Sequence, residues 1–312
     1  MLRFIAKRLT SGFLLLLVIS TLTYFLLFFS SSSVARNLLG DSATSAQVVA
    51  KAHELGLDRP LLPRYFEWLG HALTGDLGIS WYSNQPIVSS LASRLPVTMT
   101  IVLFAILLAS TLATVLGMLA AVKGGWIDRL VQFLAIAGFA VPNFVVAIIL
   151  VTVFAINIAV FPATGWVNLS DEPRGWFLSL VLPVAALVVS TVASAAQQIR
   201  SAFKDVLSRD WVRTLRSRGI RNNEILFKHV LRSAAPSGLT VLSLQFVGML
   251  GGSVIIEKIF ALPGIGQLAV DSTTQGDTPV VMGIVVYSVI VVILVNLVVD
   301  LVNGWLNPKV RV

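Results

Sequence analysis

Residues 205–233 read DVLSRDWVRTLRSRGIRNNEILFKHVLRS and lie between two long apolar stretches of the chain. Together with the residues from Arg200 onward, this stretch forms a basic segment with nine basic side chains: Arg200, Lys204, Arg209, Arg213, Arg216, Arg218, Arg221, Lys228 and Arg232. The basic segment holds three acidic residues, Asp205, Asp210 and Glu224. Basic loops stay on the cytoplasmic side of a membrane, so the segment sets the orientation of its neighbours. We predict two short helices broken at Gly219, a form that another protein could grip. Gly219 is expected in a left-handed conformation at the helix end, where a Cβ is costly.

The composition is that of a protein with many membrane spans. The 312 residues are 56% hydrophobic and 12% charged, and the mean hydropathy is +0.87. Soluble domains carry about 25% charged residues. The formal net charge of +8 agrees with basic loops kept on one side of a membrane. No basic region carries aromatic stacking platforms for nucleic acid. The chain has no cysteine, which excludes disulfides, thiolate metal sites and cysteine nucleophiles.

Six stretches are long and apolar enough for a helix to cross the bilayer, which takes about 20 residues. The first has an apolar core longer than that of a signal peptide, so we interpret it as a retained span. Pro142 predicts a kink in the third, because proline removes a helical hydrogen bond. The six predicted spans are Leu9–Phe29, Pro96–Val122, Leu130–Ile156, Trp176–Ile199, Pro236–Ile256 and Pro279–Trp305.

The charges between the spans assign the two sides of the membrane. The amino terminus, the 123–129 turn, the 200–232 loop and the carboxyl-terminal tail are net basic, whereas residues 30–95 are balanced in charge. We therefore expect an all-α membrane protein with six spans and both termini in the cytoplasm. Its predicted parts are 1–29 (tail and first span), 30–95 (extracytoplasmic segment), 96–305 (five-span core, with the basic segment at 200–235) and 306–312 (cytoplasmic tail).

Residues 30–95 predict a small helical segment on the outer side. Thr44 to Gln47 form a capping-box pattern, and apolar residues follow at helical spacing up to Leu55. A second short helix is predicted from Pro63 to Leu73. At roughly 65 residues the segment is too small for an ordinary catalytic domain, and we expect it to rest on the spans.

The spans show no charged residue near their centres, which argues against an ion-coupled carrier. The second span carries small residues at four-residue spacing, and the fifth repeats the pattern at Gly248 and Gly252. Such stripes either pack helices within the chain or form a seam to a partner protein. The stripe of the second span consists of Ala105, Ala109, Ala113, Gly117 and Ala121.

Uncharged polar residues cluster in the fourth and fifth spans. Polar side chains in a span must face protein or water, so these either line a pathway or, as with Gln197 and Gln198, mark the end of a span. The candidates for lining a pathway are Ser190, Thr191, Ser194, Gln245, Gly248 and Ser253.

Motifs for catalysis and nucleotide binding are missing from the sequence. It has no Gly-Lys pair, and therefore no Gly-x-x-x-x-Gly-Lys-Ser/Thr phosphate loop, and neither His-Glu-x-x-His nor Gly-x-Ser-x-Gly occurs. We expect no metal or triad role for His53, His71 or His229. If ATP drives this protein, another subunit binds the nucleotide.

Two stretches of the basic segment, Arg213–Ile220 (RTLRSRGI) and Leu226–Arg232 (LFKHVLR), resemble the coupling motif of ABC importer permeases. The resemblance is to the dipeptide/oligopeptide permease family, and within it to the first, B-type subunit. Leu215 and Ser217 stand where that family tends to have alanine. Further matching elements occur in order at 55–60 (LGLDRP), 75–80 (GDLGIS), 161–166 (FPATGW), 257–266 (EKIFALPGIG), 277–281 (DTPVV) and 307–311 (NPKVR, with Asn307 for the usual Asp).

The resemblance implies the fold of a type I ABC importer permease, which is not itself an enzyme. It implies a second homologous permease, two ATPase subunits or one fused ATPase, and an extracytoplasmic binding protein. ATP and magnesium would belong to the ATPase partners, with no cofactor in this chain. The residues it implies for coupling to the ATPase are Trp211, Arg213, Thr214, Arg216, Gly219, Ile220 and His229.

A turn near the last outer loop has two interpretations. It either reaches into the binding protein to help release substrate or is a re-entrant or surface turn. Its residues are Pro263, Gly264, Ile265 and Gly266.

The resemblance leaves the substrate open. Peptides are the expected cargo, and nickel chelates, glutathione and oligosaccharides are alternatives. A self-sufficient channel, an ion-coupled carrier and a membrane enzyme are the rival classes.

Overall fold

The computed structural model describes residues 2–30, 34–40 and 42–306, and over these ranges the chain is helical without a β-strand. The predicted all-α fold is therefore confirmed. The helices are α1 (Leu2–Ser30), α2 (Val34–Leu39), α3 (Ser45–Glu54), α4 (Leu61–Leu73), α5 (Ile87–Lys123), α6 (Gly125–Ala140), α7 (Asn143–Leu150, continued by π-helical turns at Val151–Asn157), α8 (Pro173–Leu207), α9 (Asp210–Ser217), α10 (Asn222–Glu224, continued by π-helical turns at Ile225–Val230), α11 (Leu231–Ile259), α12 (Ile265–Gln275) and α13 (Thr278–Leu306).

Among the described residues, five continuous helical stretches are long and apolar enough to cross a membrane. The remaining predicted span, the third, is a broken pair, since α6 and the helix from Asn143 to Asn157 meet at an angle of 92°. The sequence predicted a kink here, and the structure shows a complete break. Pro142 lacks an amide hydrogen, and its ring forces the preceding Val141 into an extended conformation, with φ −95° and ψ 119°.

Three predicted helix bounds need correction. Pro96 and Pro236, expected at helix starts, lie inside the helices that begin at Ile87 and Asn222. Apolar stretches mark the hydrocarbon region, and these helices continue past it. In the same way α8 continues past Ile199 to Leu207, so the first basic residues of the basic segment belong to a helix rather than to a loop.

The chain divides into two compact units, each packed mainly against itself. The first comprises Met1–Val97 and Pro263–Leu294, and the second comprises Thr98–Leu262 and Val295–Val312. The domain bounds proposed from the sequence stay a prediction. The carboxyl-terminal tail at 307–312, with the NPKVR element, lies outside the described residues.

In the first unit, the predicted capping box is confirmed: the Thr44 hydroxyl accepts from the Gln47 amide, and the Gln47 side chain accepts from the Thr44 amide. Helix α4 joins α1 through aromatic side chains. The ring centroids of Tyr24 and Tyr65 are 5.3 Å apart, and the Tyr65 hydroxyl lies 2.7 Å from the Thr21 hydroxyl. As expected, the predicted outer segment rests on a span helix for its core.

In the second unit, the small-residue stripe of α5 packs inside the chain. Ala105, Ala109 and Ala113 are fully buried, and Ala113 shares an apolar cluster with Ala195, Ala196 and Ile199 of α8. A Cβ on Gly117 would lie 2.8 Å from the Ala196 carbonyl oxygen. Of the two interpretations of this stripe, packing within the chain is the one that its contacts with α8 support.

Gly117→Ala is predicted to destabilise the second unit. The new Cβ would lie 2.8 Å and 3.0 Å from two backbone atoms, the Ala196 oxygen and the Arg200 nitrogen, so α5 would have to move away from α8. We expect a loss of about 1–3 kcal/mol, measured as a lower melting temperature in detergent. Gly251→Ala is the matched control, because nothing lies within 4 Å of its new Cβ. Equal melting temperatures for the two variants would contradict the close approach.

Candidate functional site

The basic segment contains one separate short helix, α9, which follows α8 after two residues. It ends in a turn in which the Gly219 amide donates to the Arg216 carbonyl at 3.0 Å and the Ile220 amide to the Leu215 carbonyl at 3.3 Å. Gly219 has φ +78°, the left-handed conformation predicted for it, which is costly for residues with a Cβ. A Cβ there would meet nothing within 4 Å, so the constraint lies in the backbone.

The predicted second short helix of the segment is wrong. The chain becomes helical again at Asn222 and continues through the π-helical turns Ile225–Val230 into α11 without a gap. It therefore forms the start of the fifth span, in the stretch Asn222–Ile259. The sequence concealed this because the polar residues of 221–233 resemble a loop, whereas the helix extends beyond the apolar region.

Helix α9 has one buried face and one exposed face. Val212 is completely buried in a cluster with Phe203 and Val206 of α8 and Ile225 and Val230 of the following turns. The half-buried side chains Trp211, Leu215 and Ile220 pack on the same cluster. The exposed positions from 210 to 219 are Asp210, Arg213, Thr214, Arg216, Ser217, Arg218 and Gly219, and the Asp210 carboxylate lies 3.6 Å from the Arg213 guanidinium.

Of the residues predicted for coupling, the structure therefore exposes Arg213, Thr214, Arg216 and Gly219 on one surface. Trp211, Ile220 and His229 are half-buried, and the first two pack on the apolar cluster that anchors α9. The arrangement presents cations outward on an element held by apolar contacts, which suits a surface that meets a negatively charged partner.

Two of the polar residues predicted to line a pathway form contacts between helices. The Ser194 hydroxyl of α8 accepts from the Gln245 side-chain amide of α11 at 2.8 Å. One turn earlier, the Ser190 hydroxyl donates to the side-chain oxygen of Asn143, the first residue of α7. These four side chains, which we name the polar cluster, connect α8 to α7 and α11 within the second unit.

The other predicted pathway residues lie outside this cluster. Thr191 and Ser253 are buried and donate to carbonyls of their own helices, Thr191 to Leu187 at 2.8 Å and Ser253 to Leu250 at 2.9 Å. Gly248 is exposed, and nothing lies within 4 Å of the position that a Cβ would take there. The hydroxyls of Thr191 and Ser253 therefore bond within their own helices and not to the cluster, and Gly248 has no side chain that could do so.

Sequence reasoning missed Asn143. An amide next to Pro142 within an apolar stretch was the available signal, since a proline break frees backbone groups that need polar partners. Gly252 of α11 is also close to Asn143, because a Cβ on Gly252 would lie 3.3 Å from the side-chain nitrogen Nδ2 of Asn143. The break in the third span therefore lies against both α8 and α11.

A buried carboxylate lies near the carboxyl end of α11. Glu257 is fully buried, and its Oε1 accepts from the Thr98 hydroxyl of α5 at 2.7 Å. Burial of a polar group is costly unless it is hydrogen-bonded. The Thr98 hydroxyl supplies a hydrogen bond to Glu257, and this contact joins α5 to α11 in the second unit.

The turn predicted to contact a binding protein is mostly buried. Gly264 precedes α12, and Ile265 and Gly266 begin this helix. Ile265 is 4% exposed and packs with Ile87, Leu91 and Val280 in the first unit. Only Pro263 of the four residues is exposed. The four residues do not form a projecting turn, because an apolar side chain draws the helix start into the core.

Two elements of the sequence resemblance meet in the first unit. The buried Ser80 hydroxyl donates to Asp277 at 2.6 Å, and the Ser83 amide donates to the Ser80 hydroxyl at 3.0 Å. The Tyr82 hydroxyl donates to the Gln275 carbonyl at 2.6 Å. Burial, followed by the charge of Asp277, raises the pKa of Tyr82, which keeps the phenol protonated as a donor. The contacts fix the 75–86 loop onto the junction of α12 and α13.

These features define a multi-pass membrane protein with a basic, amphipathic connecting helix. The sequence from 113 to 312 matches the family described as "Binding-protein-dependent transport system inner membrane component", and residues 1–102 match the N-terminal region of such membrane components. The chain belongs to this family. It is a membrane permease subunit of the ABC importer class, in which ATP hydrolysis takes place in separate subunits.

Similar proteins span nearly the whole chain. A Brucella abortus (strain 2308) protein named as a putative peptide transport system permease is 36% identical, with 88% of each chain covered. The dipeptide transport system permease protein DppB of Lactococcus lactis subsp. cremoris is 36% identical, with 86% of each chain covered. The glutathione transport system permease protein GsiC of Escherichia coli is 34% identical over 89% of this chain and 88% of its own.

Proposed function

We propose that this chain is the permease subunit of an ATP-driven importer that moves dipeptides and oligopeptides into the cell. The observation that carries the proposal is the geometry of the basic segment, a short amphipathic helix with exposed cations and a left-handed Gly219 at its end. Similarity over most of the chain to permeases named for peptide and dipeptide transport supports the cargo.

The proposed partners follow from the same family. They are a second homologous permease, two ATPase subunits or one fused ATPase, and an extracytoplasmic binding protein. ATP and magnesium belong to the ATPase, because the sequence has no phosphate loop. Arg213 and Arg216 of α9 face the ATPase, and the exposed Pro263 is the member of the 263–266 group available to the binding protein.

We place both termini, the 123–129 turn and the basic segment on the cytoplasmic side of the cell or inner membrane. The support is the excess of lysine and arginine in these regions, compared with the balanced charge of residues 30–95. In this orientation the lipid bilayer surrounds the spans, and nucleic acid has no role.

The polar cluster lines the proposed substrate path. Hydroxyl and amide side chains match the hydrogen-bonding groups of a peptide backbone, and broken membrane helices lie at substrate sites in many transporters. Asn143, Ser190, Ser194 and Gln245 supply such groups beside the break.

Glutathione import is the second candidate, because one relative carries that name. Nickel chelates and oligosaccharides are further alternatives within the same machinery. A channel or ion-coupled carrier would differ from all of them by moving its substrate without ATPase partners.

Uptake measured in cells with and without the gene tests the function. We expect labelled di- to pentapeptides to enter only when the gene is present and ATP is supplied, and the lengths transported to define the preference. Excess unlabelled glutathione separates the alternatives, because it would compete only if it shares the path. Peptide uptake that is equal in the two strains, together with gene-dependent glutathione uptake, would replace peptide by glutathione as the cargo.

Gly219→Val is predicted to abolish substrate-stimulated ATP hydrolysis while the protein still inserts into the membrane. A β-branched residue at φ +78° is strained by about 1–3 kcal/mol, which shifts the end of α9 away from the ATPase. ATP hydrolysis by the purified complex, with and without loaded binding protein, is the measurement. Gly40→Val is the control, since Gly40 has φ +82° and equal space around it. Normal stimulation in Gly219→Val would refute the coupling role.

Gln245→Ala is predicted to change the choice among peptides. Loss of one hydrogen-bonding group corresponds to roughly a 2- to 10-fold effect, and peptides that differ in length should be affected unequally if Gln245 touches them. The ratio of uptake rates for a dipeptide and a pentapeptide measures this. Gln197→Ala, which removes an exposed glutamine of α8, should leave the ratio unchanged. An equal decrease for both peptides in Gln245→Ala would indicate a packing role instead.

A further inference from the structure

An ion-pair cluster joins α6 to α8 in the second unit, and one of its three members, Lys204, is 41% exposed. Asp128, on the first turn of α6, accepts hydrogen bonds from Nε and Nη2 of Arg200, the latter at 2.7 Å. The Asp128 carboxylate also accepts from Nζ of Lys204 at 2.8 Å. The side chains of Asp128 and Arg200 are only 13% and 14% exposed. A two-point contact between guanidinium and carboxylate fixes orientation as well as distance.

The cluster lies between two functional elements along the chain. Arg200 and Lys204 are one turn apart near the carboxyl end of α8, which is followed by Ser208, Arg209 and then α9. Asp128 is near the start of α6, and the other end of α6 is the break at Val141 and Pro142. One contact therefore connects the helix that leads to α9 with the first arm of the broken span.

Helix α5 packs closely against α8 at Arg200. Gly117 of α5 approaches so closely that a Cβ on it would lie 3.0 Å from the Arg200 nitrogen. The turn from α5 to α6 passes through Gly124 and Gly125, both with positive φ. Helices α5, α6 and α8 thus converge where Asp128 meets Arg200.

Helix α9 shares an apolar core with the same end of α8. Val212 is completely buried in a cluster with Phe203 and Val206, so a displacement of α9 is transmitted to the last turns of α8. Arg200 and Lys204 lie on these same turns of α8. From α8 the path reaches the break at two places: the Ser190 contact with Asn143 joins α8 to α7, and the Asp128 cluster joins it to α6.

We propose that Asp128 is a positioning residue for energy coupling: it holds α6 to the end of α8, so that movement of α9 reaches the broken span. The inference rests on the proposed function of α9 as the element that meets the ATPase. It adds a residue outside the basic segment, on a different helix, that coupling requires.

The test uses the complete transporter in lipid vesicles, with its ATPase subunits and with the binding protein purified with its native ligand. Stimulation of ATP hydrolysis by the binding protein is the readout, because it does not depend on what the ligand is. Asp128→Asn should reduce the stimulation by roughly 2- to 30-fold, the range of coupling changes by residues that touch no ligand. Basal hydrolysis should persist, and Asp128→Glu should restore most of the stimulation.

The matched control is Asp205→Asn, the same change at an exposed position on the last turn of α8, which should retain normal stimulation. Asp128→Asn alone leaves the partly shielded charge of Arg200 without its main partner, which can impair folding. The double variant Asp128→Asn with Arg200→Gln removes both charges of this pair and should assemble while remaining poorly stimulated.

Two outcomes would overturn the inference. One is normal stimulation in the assembled double variant. The other is a parallel fall of basal and stimulated hydrolysis in Asp128→Asn, which would indicate a role in stability alone. Peptide uptake measured in the same vesicles tests the proposed cargo separately. A wild-type complex that responds to its binding protein without importing peptide would refute the cargo and leave the test of Asp128 intact.

Discussion

Hydrocarbon offers no hydrogen-bond partner to a peptide group, and this constraint organises the chain. Each membrane span must satisfy its backbone within a helix, which explains why the described residues form long helices without strands. The break at Val141 and Pro142 is the exception, and polar side chains lie at it. The Asn143 side chain accepts from Ser190 and lies close to Gly252. These contacts place α8 and α11 against the break, so the broken backbone lies beside protein.

Helix α8 is the centre of the second unit. In its most apolar stretch 56% of the residues are buried, against 33% or fewer in the other four continuous spans. Each neighbour contacts it through different chemistry: α5 through the backbone approach at Gly117, α6 through Asp128, α7 through Asn143 and α11 through Gln245. Small side chains allow the close approach and polar ones fix the register, as is usual where apolar burial does not drive helix association.

Features set by local chemistry were predictable from the sequence. Hydropathy located the spans, the capping box at Thr44 depends on a four-residue pattern, and the left-handed Gly219 follows from its lack of a Cβ. Features that depend on distant residues were not. The contact between Ser80 and Asp277 joins positions 197 residues apart, and the depth of Ile265 depends on side chains from two other helices.

The break at Pro142 shows that a proline in the sequence predicts a bend in the helix but not the size of the bend. A proline always removes one helical hydrogen bond, but a kink becomes a 92° break only when other groups replace several bonds. Whether such groups exist depends on which helices pack nearby.

The predicted helix bounds were wrong for a related reason. Hydropathy marks the extent of the hydrocarbon and says little about where helical hydrogen bonding stops, as at Pro96 and Pro236.

The same break divides the third span into two arms, and an apolar cleft lies beside it. The two arms of the span are held to α8 by separate contacts, α6 through Asp128 and α7 through Asn143. An apolar cleft of about 500 Å³ lies among α5, α6, α7 and α8, lined by residues such as Val131, Val146 and Val189. Protein interiors are normally close-packed, so the proposed coupling, which needs the angle between the arms to change, would meet the least packing at this cleft. Hinge motions are absorbed by a few residues at the ends of rigid elements, and Val141 and Pro142 lie between the two arms.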